Sequence, residues 1–110
     1  MFIAMNNFKV AKGREEDFER TWRDRRSYLE GVPGFVQFCL LRADAEGEYI
    51  SHSTWVDRAA FVNWVNSPAF TEGHRQGSLA GVLEGPPQIK TYEAAIVETP
   101  QEGRTVEATR

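Results

Sequence analysis

The chain opens on a run in which every second residue is apolar with one exception. Phe2, Ala4, Phe8 and Val10 share one face of a strand read at period two, and Asn6 stands among them. The pattern predicts a strand over Phe2 to Val10, a turn at Ala11-Lys12-Gly13, and a helix from Arg14 to Leu29 along which Phe18, Trp22 and Leu29 recur at helical spacing. Acids crowd the first turn of that helix (Glu15, Glu16, Asp17) and arginines the later part (Arg23, Arg25, Arg26), the order a helix dipole favours. Gly31 and Pro33 stop it. Gly34 to Ala43 and Glu48 to Val56 read as strands joined through the turn Asp44-Ala45-Glu46-Gly47. Asp57 is an N-cap for a second helix through Val65, and Ser67-Pro68 starts a third, shorter one. Gly77 to Pro87 reads as a loop and Gln88 to Glu98 as the last strand.

That order is β-α-β-β-α-β, an α+β, ferredoxin-like arrangement with an antiparallel sheet and helices on one face. Residues 1–98 are expected to form one domain. The polar stretch 99–110, with no apolar period, is expected to be disordered. The second strand is apolar on both sides, with Val36, Phe38 and Leu40 on one and Phe35, Cys39 and Leu41 on the other. A second copy of the chain is the simplest cover for the face the helices leave bare, so we expect a homodimer, sheet against sheet.

Composition narrows the function. The chain has 110 residues and a formal net charge of -3, which argues against a nucleic-acid partner. Cys39 is the lone cysteine, so no disulfide forms within the chain, in keeping with a reducing compartment. The sequence shows no membrane-spanning stretch and no signal-peptide pattern, and the expected address is cytoplasmic. There is no phosphate loop, no GxGxxG, no glycine-flanked serine elbow and no cluster of metal ligands. What remains is a pocket-forming chain with few ionisable groups, which suits chemistry carried by the ligand itself.

Three residues stand out against that background. Asn6 puts an amide on an apolar face, where it needs a partner; it could also cap the sheet, or Asn7 could be the buried amide instead. Trp64 offers a large flat wall, and with Phe61 and Val65 it would equally fill a core. His74 follows the third helix's Phe70 by four residues, on the same predicted face; an exposed or core-satisfied imidazole is its ordinary reading. His52 is the competing histidine and reads as a sheet residue between Ile50 and Thr54. An amide, a flat wall and an imidazole are together what a protein needs to hold a haem and steer dioxygen on it.

With Asn6, Pro33-Gly34-Phe35, Thr54-Trp55, Phe61-x-x-Trp64 and the histidine ten positions later, His74, the chain resembles haem-degrading monooxygenases of the Isd type, within the antibiotic-biosynthesis-monooxygenase superfamily of dimeric α/β barrels. The likeness runs from about Phe2 to Val97. It implies that His74 is the proximal iron ligand, that Asn6 hydrogen-bonds near the distal side, and that Trp64 presses on the porphyrin and ruffles it. Trp22 and Phe70 would border the ring, and Arg25 is the candidate for the propionates, with an exposed surface arginine as its alternative. Haem would be both cofactor and substrate, dioxygen the oxidant, and an outside donor such as a reductase the source of electrons, with iron released for acquisition. The rival readings are a cofactor-independent monooxygenase of a polycyclic phenol, and a haem carrier or small dimeric stress or signalling domain without catalysis.

Overall fold

The computed structural model describes residues 1–24, 28–76 and 81–100, with the backbone alone for 73–76. Four strands form one sheet in the order β2-β3-β1-β4, all neighbours antiparallel. They are β1 (Phe2–Lys9), β2 (Phe35–Arg42), β3 (Glu48–Trp55) and β4 (Gln88–Glu93), with α1 (Glu15–Asp24) between β1 and β2, and α2 (Arg58–Val65) and α3 (Pro68–Gln76) between β3 and β4. This is the ferredoxin-like α+β fold expected from the element order.

Local chemistry accounts for the boundaries. Asp57 caps α2 by accepting from Ala60 N–H at 2.9 Å, and Ser67 Oγ accepts from Phe70 N–H at 3.2 Å to open α3. The β2–β3 hairpin closes through Gly47, whose φ of 82° and approach to the Val10 carbonyl both exclude a side chain. Gly34, at φ 80°, lies so close to α2 that a Cβ there would collide with that of Ala60. The Pro33-Gly34-Phe35 signature therefore serves strand–helix packing.

Three expectations need correction. The first helix does not reach Leu29: 28–29 are outside any helix, and Leu29 does not continue the Phe18/Trp22 stripe but is buried in a different cluster, with Phe2, Trp55 and Trp64. The last strand ends at Glu93; Ala94 N–H still reaches the Met1 carbonyl at 2.9 Å, but β1, its neighbour among the described strands, begins at Phe2. On β2, a bulge between Phe35 and Gln37 puts two residues opposite one. It resets the alternation, so Phe35 joins Phe38 in the helix-side core, and Phe35 is not on the Cys39/Leu41 face. The expected tail falls mostly on 101–110, outside the described residues.

Among the described residues the core is two clusters. Phe8, Val10, Phe18, Tyr49 and Val82 form one; Phe2, Leu29, Trp55 and Trp64 form the other. On the helix-facing side of β1 they are separated by Ala4 and Asn6, whose partners on β3 are Ser53 and Ser51. Four small or polar residues thus floor the gap between two aromatic masses, and space is left above them.

Candidate functional site

That gap is a cavity of about 240 Å³. Its floor is Ala4 and Asn6 of β1 with Ser51 and Ser53 of β3; Trp22 of α1 and Phe38 of β2 close one side; Phe61, Trp64 and Val65 of α2 and Phe70 of α3 close the other. Ile89 of β4 also lines it and is 61% exposed, so the cavity meets solvent at the β4 edge. Among the described residues, none of the lining side chains is ionisable.

The walls are flat and mutually braced. Trp22 stacks on Phe38 with ring centres 5.6 Å apart and planes 22° from parallel. Trp64 stacks on Trp55 at 6.3 Å and 27°, and meets Phe70 edge-on at 5.5 Å. Such ring pairs add about 0.5–1.5 kcal/mol each beyond the area they bury, which holds the two walls in place without a ligand.

Asn6 carries the one amide among the described lining residues of this enclosure, beside the hydroxyls of Ser51 and Ser53. Its Oδ1 is buried and has no hydrogen-bond partner among the described residues. An acceptor left in that state costs about 1–3 kcal/mol, and such an expense persists where the group is used. The alternative amide is accounted for elsewhere: Asn7 Nδ2 donates to the Gln88 carbonyl at 3.4 Å, on the opposite side of the strand.

Of the residues the sequence pointed to, Asn6, Trp22, Trp64 and Phe70 line this one cavity. His74 lies on α3, four residues beyond Phe70, and its side chain is outside the described structure. Arg25 falls outside the described residues. His52 pairs with Met5 and Cys39 on the bare face of the sheet, away from the cavity floor. Ser51, Ser53 and Phe38 were missed. The available signal was the run Tyr49-x-Ser51-x-Ser53-x-Trp55, in which small hydroxyl residues take alternate places on a face whose ends are aromatic.

The charged groups that are strongly perturbed lie elsewhere. Arg42 donates twice to Glu19, at 2.7 and 2.8 Å, and Tyr49 O–H donates to the same carboxylate at 2.6 Å. These bonds, Arg42's first, push the Glu19 carboxyl down to about 2, while burial raises the Tyr49 phenol. This network ties α1 to the β2–β3 hairpin and does not border the aromatic cavity.

The antibiotic biosynthesis monooxygenase family profile matches residues 1–76. A heme oxygenase (mycobilin-producing) of Mycobacterium tuberculosis is 32% identical over 81 residues, spanning 71% of this chain and 77% of that protein. The structure of the heme-degrader MhuD from the same organism, with two hemes bound in its active site, matches with a TM-score of 0.73 at 25% identity, over 90% of this chain and 100% of that one. SnoaB, a cofactor-independent oxygenase from Streptomyces nogalater, matches with a TM-score of 0.68 at 23% identity, over 87% and 94%, a likeness of fold alone.

Proposed function

This chain belongs to the antibiotic biosynthesis monooxygenase family, and on that footing we propose that it is a haem-degrading monooxygenase whose substrate sits between the Trp22/Phe38 and Trp64/Phe70 walls. The observation that carries the reading is the unpartnered Asn6 oxygen in an uncharged, aromatic-walled slot open at one edge. A flat apolar ring suits those walls, and a ring that enters from the β4 edge keeps its carboxylates in water. At about 240 Å³ the slot takes part of a tetrapyrrole, and the remainder extends through the mouth at Ile89. The haem-bearing relative of the same fold supports the choice of ring.

When bound, haem would supply the iron that activates dioxygen and the carbon framework that is oxidised, with electrons from an external donor. The chain's own part is positional. His74 on α3 is assigned as the iron ligand. Asn6, with no acid near it among the described lining residues, would offer amide hydrogens to bound dioxygen without a ready proton. Trp64, backed by Trp55, is a stiff wall that would bend a bound ring instead of yielding to it. Trp22 and Phe70 would hold the ring's borders, and Arg25 is assigned to the propionates. Opening of the ring would free its iron, which suits a role in iron acquisition. A cytoplasmic homodimer is the working form. Among the described residues no helix is long and apolar enough to cross a membrane.

The second reading, a cofactor-independent oxygenase of a polycyclic phenol, is favoured by the same uncharged aromatic slot. A titration distinguishes the two. We expect stoichiometric haemin to give a shifted Soret band with this protein, and polycyclic quinols to give no oxygen uptake. Quinol-driven oxygen uptake with no haemin-induced Soret shift would replace the haem reading by the other; a haem complex stable under air and ascorbate would leave a carrier.

A further inference from the structure

One hydroxyl on the cavity floor has no part in the reading above. Ser51 and Asn6 are direct partners across β3 and β1, and both line the cavity. Directly opposed residues of an antiparallel pair hold their Cβ atoms about 4.5–5.5 Å apart, within reach of a hydroxyl and an amide on the same face. Asn6 Oδ1 is buried without a donor among the described residues. Ser53, the next residue along that face, accepts from Trp55 Nε1 at 3.0 Å, which ties its oxygen to the core. Ser51 can rotate about χ1 between staggered positions and has an O–H to give.

We propose that Ser51 is the positioning residue of Asn6: its O–H makes no bond to Asn6 Oδ1 in the side-chain position seen here, but on rotation about χ1 it donates to that oxygen and thereby turns the Nδ2 hydrogens toward the bound substrate. An amide carries its acceptor and its donors on opposite corners, so holding the oxygen aims the nitrogen. Ser51 acts through Asn6 and not on the substrate itself. What Nδ2 faces rests on the haem reading; the Ser51–Asn6 bond does not. The floor is also why the residue is small: a bulkier side chain at 51 would fill the gap between the two aromatic clusters.

The bond and its consequence are separable by experiment. In haem-free protein, the side-chain amide resonances of Asn6, identified by their loss in Asn6→Ala, should move in Ser51→Ala and return in Ser51→Thr. In the ferrous carbon monoxide complex, Ser51→Ala should shift the Fe–CO vibration in the same direction as Asn6→Ala and add nothing in the Asn6→Ala background. Haem affinity should stay put while turnover falls by about threefold to tenfold, the rate equivalent of one hydrogen bond. If Ser51→Ala leaves the Asn6 resonances in place, or Trp22→Phe moves them instead, Ser51 is not the donor. If the wild type binds no haem at all, the parent reading fails, and the haem-free spectra still decide the Ser51–Asn6 bond.

Discussion

Replacing Trp64 by phenylalanine separates its wall function from its core function. Trp64 is 9% exposed, stacked on Trp55 and edge-on to Phe70. Truncation to alanine would open a large hole at a cost of about 3–5 kcal/mol, a serious share of the about 5–15 kcal/mol that holds a small domain together. Phenylalanine keeps an aromatic ring against both neighbours and should cost about 1–2 kcal/mol. That corresponds to a melting temperature lower by roughly 4–15 °C in a chain of this size, so the variant remains folded at room temperature. It loses the wider indole face that, in the proposed function, would meet the ring. Haemin titration should give a Soret band and affinity within about threefold of wild type, because the proposed iron ligand, His74, lies on α3 and not on α2. Ascorbate-driven loss of that band should slow by about tenfold or more, equivalent to about 1.4 kcal/mol of barrier. Circular dichroism and a thermal melt establish that the variant is folded. A folded Trp64→Phe that consumes haem at the wild-type rate refutes the role given to this wall.

Three further outcomes follow from the same structure. His74→Ala should lose the shifted Soret band or bind haem far more weakly, whereas His52→Ala, on the bare sheet face, should not; the reverse result in visible spectra would reassign the ligand. The Glu19 carboxyl is held at about 2 instead of 4.5, so its bonds to Arg42 and Tyr49 stabilise the fold above about pH 4.5, and that contribution is lost as pH falls toward 2. Glu19→Gln should therefore melt lower at pH 7 by the equivalent of about 1–2 kcal/mol, after allowance for solvent screening. The gap should close in melts near pH 2, and a gap that is the same at both pH values would contradict the assignment. The face with Ile3, Met5, Cys39, Leu41, Ile50 and Tyr92, of which Leu41 is 42% and Tyr92 46% exposed, should pair with a second copy; light scattering should give twice the 12.5 kDa chain mass, and a monomer at micromolar concentration would contradict it.

Much of the fold was legible because its signals are local. Period-two alternation in Phe2 to Val10, the Asp57 and Ser67 caps and the Gly47 turn each depend on near neighbours, and the observed elements begin where those residues predict. The bulge after Phe35 was not legible, since an inserted residue shows only against its partner strand, and it moved Phe35 to the other face. The length of α1 was misread because Leu29 fits the helical stripe by spacing yet packs into a different cluster. Asn6 was legible as an amide out of place on an apolar face. Ser51 and Ser53 were not, because a small residue signals a cavity only when the bulky residues around it are known.

The central claim, that the slot over Asn6 oxidises haem, is tested most directly by following one turnover of the protein–haem complex with an iron chelator present. Under air and ascorbate, we predict that the Soret band disappears and that close to one iron is trapped per haem consumed, with neither change in the absence of oxygen. A complex that is reduced under air, keeps its Soret band and releases no iron would contradict the account.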